Sequence, residues 1–243
     1  VLDSPDINAF ALPGGYIYIN RGLMSYLSNE EELAAVLGHE IGHVTARHSV
    51  RQYSQSQLMG VLSAAVEINA GSTAGNLANI ASGAILSGYG REMELEADDL
   101  GAQYIHKDGY SPQGMYEVLS VLKDQEIYSK KIAEQRGQEP RSYHGVFASH
   151  PSNDLRLQEV LNNVSVSFKK GTRKQQDTYL EKIEGMVFGD SEQSGVRRGS
   201  KFYHGPLNLY LGAPDSWEII NTPSTLIFSS SYGEAFLQMT LED

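Results

Sequence analysis

Between residues 7 and 20 the chain alternates apolar and polar positions: Ile7 and Phe10, then Tyr16, Ile17, Tyr18 and Ile19 beyond the turn residues Pro13-Gly14-Gly15. A period of two with a turn at its centre predicts a hairpin or short strand pair. From Ser28 the period lengthens. Ser28-Asn29-Glu30-Glu31 reads as a capping box, with Ser28 as N-cap and Glu31 reaching back. Acids at 30–32 also suit the positive end of a helix dipole. The spacing predicts a helix to about Gln52 with Leu33, Val36, Leu37, Ile41 and Val44 as its buried stripe.

Residues 57–88 are rich in Ala, Gly, Ser and Leu, which predicts two closely packed small-residue helices or a flap over a cleft. A helix follows from about Gly90 to Lys107, with Gly109 as its C-terminal stop. Ser111-Pro112 opens another, Pro in the first turn, lasting until Gly137. A polar loop then leads to His150-Pro151 and a short helix ending near Asn163. From Phe202 onward the pattern is of short β-rich runs, at 202–211, 217–220, 225–231 and 235–241, broken by Gly, Pro and Asn. These runs predict a small α+β tail. The expected organisation is therefore a domain over 1–163 and a C-terminal extension over 164–243. Trp217 and the Tyr203/Tyr210 pair are expected in the core of that extension.

Composition narrows the function. A hydrophobic fraction of 40% and a charged fraction of 20% describe a globular chain. Its net charge of −11 argues against nucleic acid, which selects basic surfaces. The basic knot Lys169, Lys170, Arg173 and Lys174 reads as a solvated linker. The longest apolar stretch, Leu58 to Val66, is cut by Glu67 and Asn69, well short of the roughly 20 residues that span a bilayer. No basic-then-apolar leader opens the sequence. Cysteine is absent, so a metal must sit on His, Asp or Glu.

The chemistry is carried by His39-Glu40-Ile41-Gly42-His43. On a helix, positions i and i+4 share a face about 6 Å apart, so both imidazoles can serve one ion. Glu40 is rotated about 100° from His39, off the ligand face but within reach of a water on the ion. Two neutral ligands and a nearby carboxylate suit zinc hydrolysis. A catalytic zinc takes a third protein ligand and keeps one position open. His48 lies too far round a continuous helix to be that ligand, and reads as a supporting or surface residue. Carboxylates cluster in Arg91-Glu92-Met93-Glu94-Leu95-Glu96-Ala97-Asp98-Asp99. Glu94 and Asp98 share one face and Glu92 and Glu96 another; periodicity does not choose between them.

Glu94-Leu95-Glu96-Ala97-Asp98 downstream of His-Glu-x-x-His resembles metallopeptidase family 48, the gluzincins of HtpX, BepA and CAAX-endopeptidase type. So does Asn8-Ala9-Phe10-Ala11-Leu12-Pro13-Gly14-Gly15-Tyr16-Ile17-Tyr18-Ile19 with Arg21-Gly22-Leu23, and so does His150-Pro151 followed by Arg156. The likeness covers residues 1 to about 163 and points to the soluble periplasmic BepA-like members, with a different C-terminal extension. It implies a mainly helical zincin-type protease domain with a small edge-strand sheet, an α+β class overall. It also implies a single zinc on His39, His43 and Glu94. Asp98 would orient a zinc histidine or donate a proton, and His150 would swing onto the zinc as a fourth ligand and latch the enzyme. The alternatives for His150 are that it caps the helix beginning at Ser152, or that it binds the transition-state oxyanion together with Arg156.

The expected function is a zinc metalloendopeptidase with Glu40 as general base. Its substrates are extended polypeptides, misfolded or unassembled, laid along the strand edge at Gly14, Gly15, Tyr16 and Ile17 by main-chain pairing. The expected home is the periplasm or envelope of a Gram-negative bacterium, with no transmembrane segment and peripheral membrane association at most. The rivals are a zinc-holding chaperone or adaptor that rarely cleaves, and an interaction protein in which zinc is structural. Glu40 argues against both, since a structural site needs no base beside its ligands.

Overall fold

The computed structural model describes residues 1–55, 57, 89–135, 156, 176–222, 224–230 and 234–240. They form two compact units, 1–184 and 185–243, in an α+β mixture as the sequence pattern predicts.

The first unit opens with a hairpin of β1 (Ala9–Leu12) and β2 (Tyr16–Ile19). The strands pair antiparallel, Ala9 opposite Ile19 and Leu12 opposite Tyr16. The turn needs Gly14 and Gly15, whose φ angles of 98° and 86° are strained for any residue with a Cβ. A short helix α1 (Arg21–Met24) leads into α2 (Glu30–Thr45).

The cap of α2 sits one residue later than the expected Ser28. Asn29 is the N-cap and its side chain accepts from the Glu32 amide. Glu32, not Glu31, reaches back, accepting from the Ser28 amide at 2.7 Å. The two motifs overlap, and the Asn29 register places a carboxylate at its own third position. The predicted stripe is also shifted. Val36 is buried but Ile41 is 39% exposed, while Glu31, His39, Glu40 and His43 are all buried. The helix turns its polar residues inward because they face a site, against the usual division of apolar inside and polar outside.

Nor does α2 run unbroken to Gln52. It ends at Thr45, and Arg47 takes a left-handed conformation, φ 55°. Residues 48–55 are helical again. The expected helices over 57–88 lie, apart from residue 57, outside the described residues.

Helix α3 (Arg91–Lys107) starts at Gly90. It ends where Gly109, φ 89°, lets Tyr110 N–H bond Ile105 C=O at 2.9 Å, the expected glycine stop. Helix α4 (Gln113–Gln135) buries Met115, Val118, Leu119 and Leu122. Helix α5 (Gln176–Ile183) belongs to this unit, beyond the expected boundary at 163. Tyr179 packs into the common core with Ile7, Ile19, Leu27, Val36 and Ile105 and donates its hydroxyl proton to Met24 C=O at 2.7 Å.

Three glycines set the α2–α3 crossing. A Cβ on Gly38 would lie 2.8 Å from the Ile105 side chain, on Gly42 2.7 Å from Ala97 O, and on Gly101 2.8 Å from His39 N. The backbones approach so closely that no methyl group fits between them.

The second unit holds two antiparallel sheets. One joins β3 (Val196–Arg198), β4 (Lys201–His204) and β5 (Leu209–Gly212). The other joins β6 (Glu218–Asn221), β7 (Thr225–Ser229) and β8 (Phe236–Thr240). The predicted run 202–211 is thus two strands around a turn. Phe202, Ile219, Leu226 and Phe228 are the core, with Trp217 packed against it. Tyr203 and Tyr210 are instead 39% and 56% exposed. They sit opposite each other in the β4–β5 register, ring centroids 5.2 Å apart, a cross-strand pair on the outward face.

Candidate metal centre

His39 and His43 lie one turn apart on α2 and direct their Nε2 atoms at the same point, 2.9 Å from each other. Glu94, on α3, closes the group. Its Oε2 is 3.6 Å from His39 Nε2 and its Oε1 is 3.4 Å from His43 Nε2. His39, His43 and Glu94 are 6%, 1% and 0% exposed, and their donor atoms all fall within 4.8 Å of one another.

The register of α3 separates the five acids that periodicity left unresolved. Glu94 and Asp98 face α2 and are buried, while Glu92, Glu96 and Asp99 are exposed. The face opposite Gly38 and Gly42 is the face that carries Glu94, because the close crossing admits Ala97 and Gly101 and nothing larger.

Both histidines have Nδ1 engaged on the side away from the group. His39 Nδ1–H donates to Asp98 Oδ1 at 2.8 Å. Asp98 in turn accepts from Arg156 Nε and Nη2, both at 2.7 Å. Burial alone would raise the Asp98 pKa, but the Arg156 charge and the bonds from Arg156 and His39 outweigh it and hold the carboxyl well below the usual range. Burial likewise opposes the charge on Arg156, and Asp98 and Glu94 overcome it. His43 Nδ1 meets His48 Nδ1 at 2.8 Å.

With its Nδ1 proton used on Asp98, His39 turns an Nε2 lone pair toward His43 Nε2 and the Glu94 carboxylate in a buried space. Three donor atoms so close together suit a shared cation. Tetrahedral zinc with bonds of about 2.0–2.1 Å places its ligand atoms roughly 3.4 Å apart, close to the observed separations. The residues therefore fit a zinc ion, two neutral nitrogens and one carboxylate oxygen being its usual donors.

Glu40 is 2% exposed and follows His39 on α2 without joining the donor group. It lines a small cavity with His39, Arg156, Ala9 and Val118. Arg156, expected to meet substrate, is 3% exposed and spends its guanidinium on Asp98 and, through Nη1, on Glu94 at 2.9 Å. In this structure it braces the ligands. Gly14 and Gly15 form the hairpin turn, and Tyr16 and Ile17 begin β2. His150 lies outside the described residues.

Tyr89 was not visible in the sequence pattern, and the place of His48 was left open by it. Tyr89 stacks on His43, ring centroids 4.1 Å apart and planes 19° from parallel, and its hydroxyl bonds Ser49 Oγ at 2.7 Å. Burial, Ser49's opposing bond and the nearby Glu40 and Glu94 together raise its pKa. His48 is 0% exposed, brought back to His43 by the break at Arg47. Thr45-Ala46-Arg47 contains no Gly, Asn or Pro to signal that break.

Residues 1–164 match the model of peptidase family M48. A beta-barrel assembly-enhancing protease of Yersinia pestis is 32% identical over 207 residues, covering 80% of this chain and 40% of that protein. Its namesake from Escherichia coli (strain K12) is 31% identical over 194 residues, 75% of this chain and 37% of that protein. Metalloprotease YcaL of Escherichia coli (strain K12) is 31% identical over 167 residues, 66% of this chain and 59% of that protein. The chain spans less than half the length of the beta-barrel assembly-enhancing relatives. A match over two thirds of the sequence, on the residues that build this donor set, leads to one assignment: the chain belongs to peptidase family M48.

Proposed function

We propose that the protein is a zinc-dependent endopeptidase that cleaves extended polypeptides with Glu40 as general base. The observation that carries this reading is the buried Glu40 beside a three-donor group of which it is not a member. His39, His43 and Glu94 would hold the ion. A zinc bound there would supply Lewis acidity to a water and to the scissile carbonyl. Glu40 takes the water's proton and passes it to the leaving amine. Asp98 keeps the His39 proton on Nδ1, and Arg156 keeps Asp98 ionised and in place. His150, when it approaches the group, would close it as a fourth donor and hold the enzyme latent.

The hairpin supports the substrate class. Among the described residues its strands β1 and β2 form a two-stranded sheet, to which a further extended chain would add by main-chain pairing near Tyr16 and Ile17. Main-chain pairing reads few side chains, which favours unfolded or unassembled proteins. Two relatives are named for enhancing β-barrel assembly, which supports an envelope or periplasmic setting and substrates of that kind. Among the described residues no helix is long and apolar enough to cross a membrane.

Casein digestion tests the reading, with the purified protein, a chelator arm, zinc re-addition and a Glu40→Gln variant. Cleavage that chelator stops, zinc restores and Glu40→Gln lacks supports it. Casein that is bound but never cut would make the protein a zinc-holding adaptor instead.

A further inference from the structure

His43 and His48 are linked through Nδ1 atoms 2.8 Å apart. On its other side His48 Nε2 lies 3.2 Å from Glu96 Oε2, and Arg51 Nη1–H donates to that same oxygen at 2.7 Å. Tyr89 covers the face of His43 and lies against His48 as well, ring centroids 5.8 Å apart. With both rings neutral, one arrangement of protons satisfies this row. A carboxylate can only accept, so His48 carries its hydrogen on Nε2 and points it at Glu96. Its Nδ1 is then a lone pair, and His43 must supply the hydrogen between the two rings. That leaves His43 Nε2 bare, and it is this atom that faces His39 Nε2 and Glu94.

We propose that His48 and Glu96 are positioning residues that fix the metal-binding tautomer of His43 through a two-imidazole relay anchored by Arg51. The two halves of the centre are then alike in plan. His39 is held by a carboxylate, Asp98, itself paired with Arg156. His43 is held by a carboxylate, Glu96, itself paired with Arg51, with one more ring inserted between. The extra ring is needed because Glu96 projects from the outer side of α3, with its side chain 44% exposed, too far round to reach His43 directly. The backbone supplies His48 at that place by breaking the helix at Arg47, φ 55°. On an unbroken helix a residue five positions on points about 140° away.

The proposal rests on the zinc reading, and its test reads metal binding rather than cleavage, so the two can fail separately. Zinc affinity would be measured by competition with a chromophoric chelator, and ligand geometry by the visible spectrum of the cobalt form. The proteins are wild type, His48→Ala, His48→Asn and Glu96→Ala, each checked by melting in the metal-free state. Loss of a partner behind a metal ligand typically costs roughly 10- to 100-fold in affinity. That loss, with altered cobalt bands, is expected for His48→Ala and at the lower end for Glu96→Ala. His48→Asn keeps an acceptor near the Nδ1 position and is expected within a few-fold of wild type. Because Glu96 is half exposed, its variant folds even if His48→Ala does not, and decides the matter alone. Zinc affinity and cobalt spectrum unchanged in Glu96→Ala would overturn the relay. A wild-type chain that binds no zinc would overturn the metal centre beneath it.

Discussion

Gly42 lies against Ala97 so closely that a Cβ on the glycine would sit 2.7 Å from the Ala97 carbonyl oxygen and 3.0 Å from its Cα. This contact joins the helix that carries His39 and His43 to the helix that carries Glu94 and Asp98. A methyl group there must push the helices apart, and with them the two halves of the donor set. Gly42→Ala is expected to lose several kcal/mol, as buried overpacking costs about 1–3 kcal/mol and backbone cannot step aside as a side chain can. Urea unfolding and zinc stoichiometry check this. A variant as stable as wild type with full zinc would show that the crossing has slack.

Glu40→Gln is expected to abolish cleavage while leaving one zinc in place, because Glu40 is beside the donor group and outside it. His39→Ala loses both. Metal analysis of the two purified variants decides between base and ligand for Glu40.

Glu94→Ala should release the metal, whereas Glu92→Ala and Asp99→Ala should retain metal and activity, since both side chains are exposed on the far side of α3. Inductively coupled plasma analysis after dialysis distinguishes them. Retention of zinc by Glu94→Ala would contradict the register described above.

Arg156→Ala leaves Asp98 and Glu94 buried without their cation, at a cost of roughly 3–5 kcal/mol for breaking a buried pair. Arg156→Lys restores the charge but not the two bonds to Asp98, and is expected to recover only part of the loss. The comparison is made by denaturant unfolding of the metal-free proteins. Equal stability of wild type and Arg156→Ala would remove the bracing role.

Arg47 holds φ at 55°. Arg47→Val places a β-branched residue in that conformation, which costs about 1–2 kcal/mol, and pulls His48 from its place behind His43. Arg47→Gly relieves the same strain and should keep its zinc. Thermal melts and zinc affinity of the pair test this.

The sequence by itself determined a great deal here, because its strongest signals are local. His39, Glu40 and His43 lie within one helical turn, and a helix places residues that close together without help from the rest of the fold. The hairpin turn at Gly14-Gly15, the Gly109 stop and the strand pattern of the C-terminal unit were legible for the same reason. What local pattern could not decide was which way α3 faces. Five acids in nine residues offer two equivalent faces, and only the glycine-lined crossing of α2 and α3 buries Glu94 and Asp98 and leaves Glu92 and Glu96 outside. The choice between a supporting and a surface place for His48 stayed open for a related reason. Helical periodicity carries it away from the site, and one left-handed residue, Arg47, brings it back. Propensity does not mark Arg47 for that conformation. The break delivers His48 to His43 on the preceding helix and to Tyr89 and Glu96, both distant in sequence.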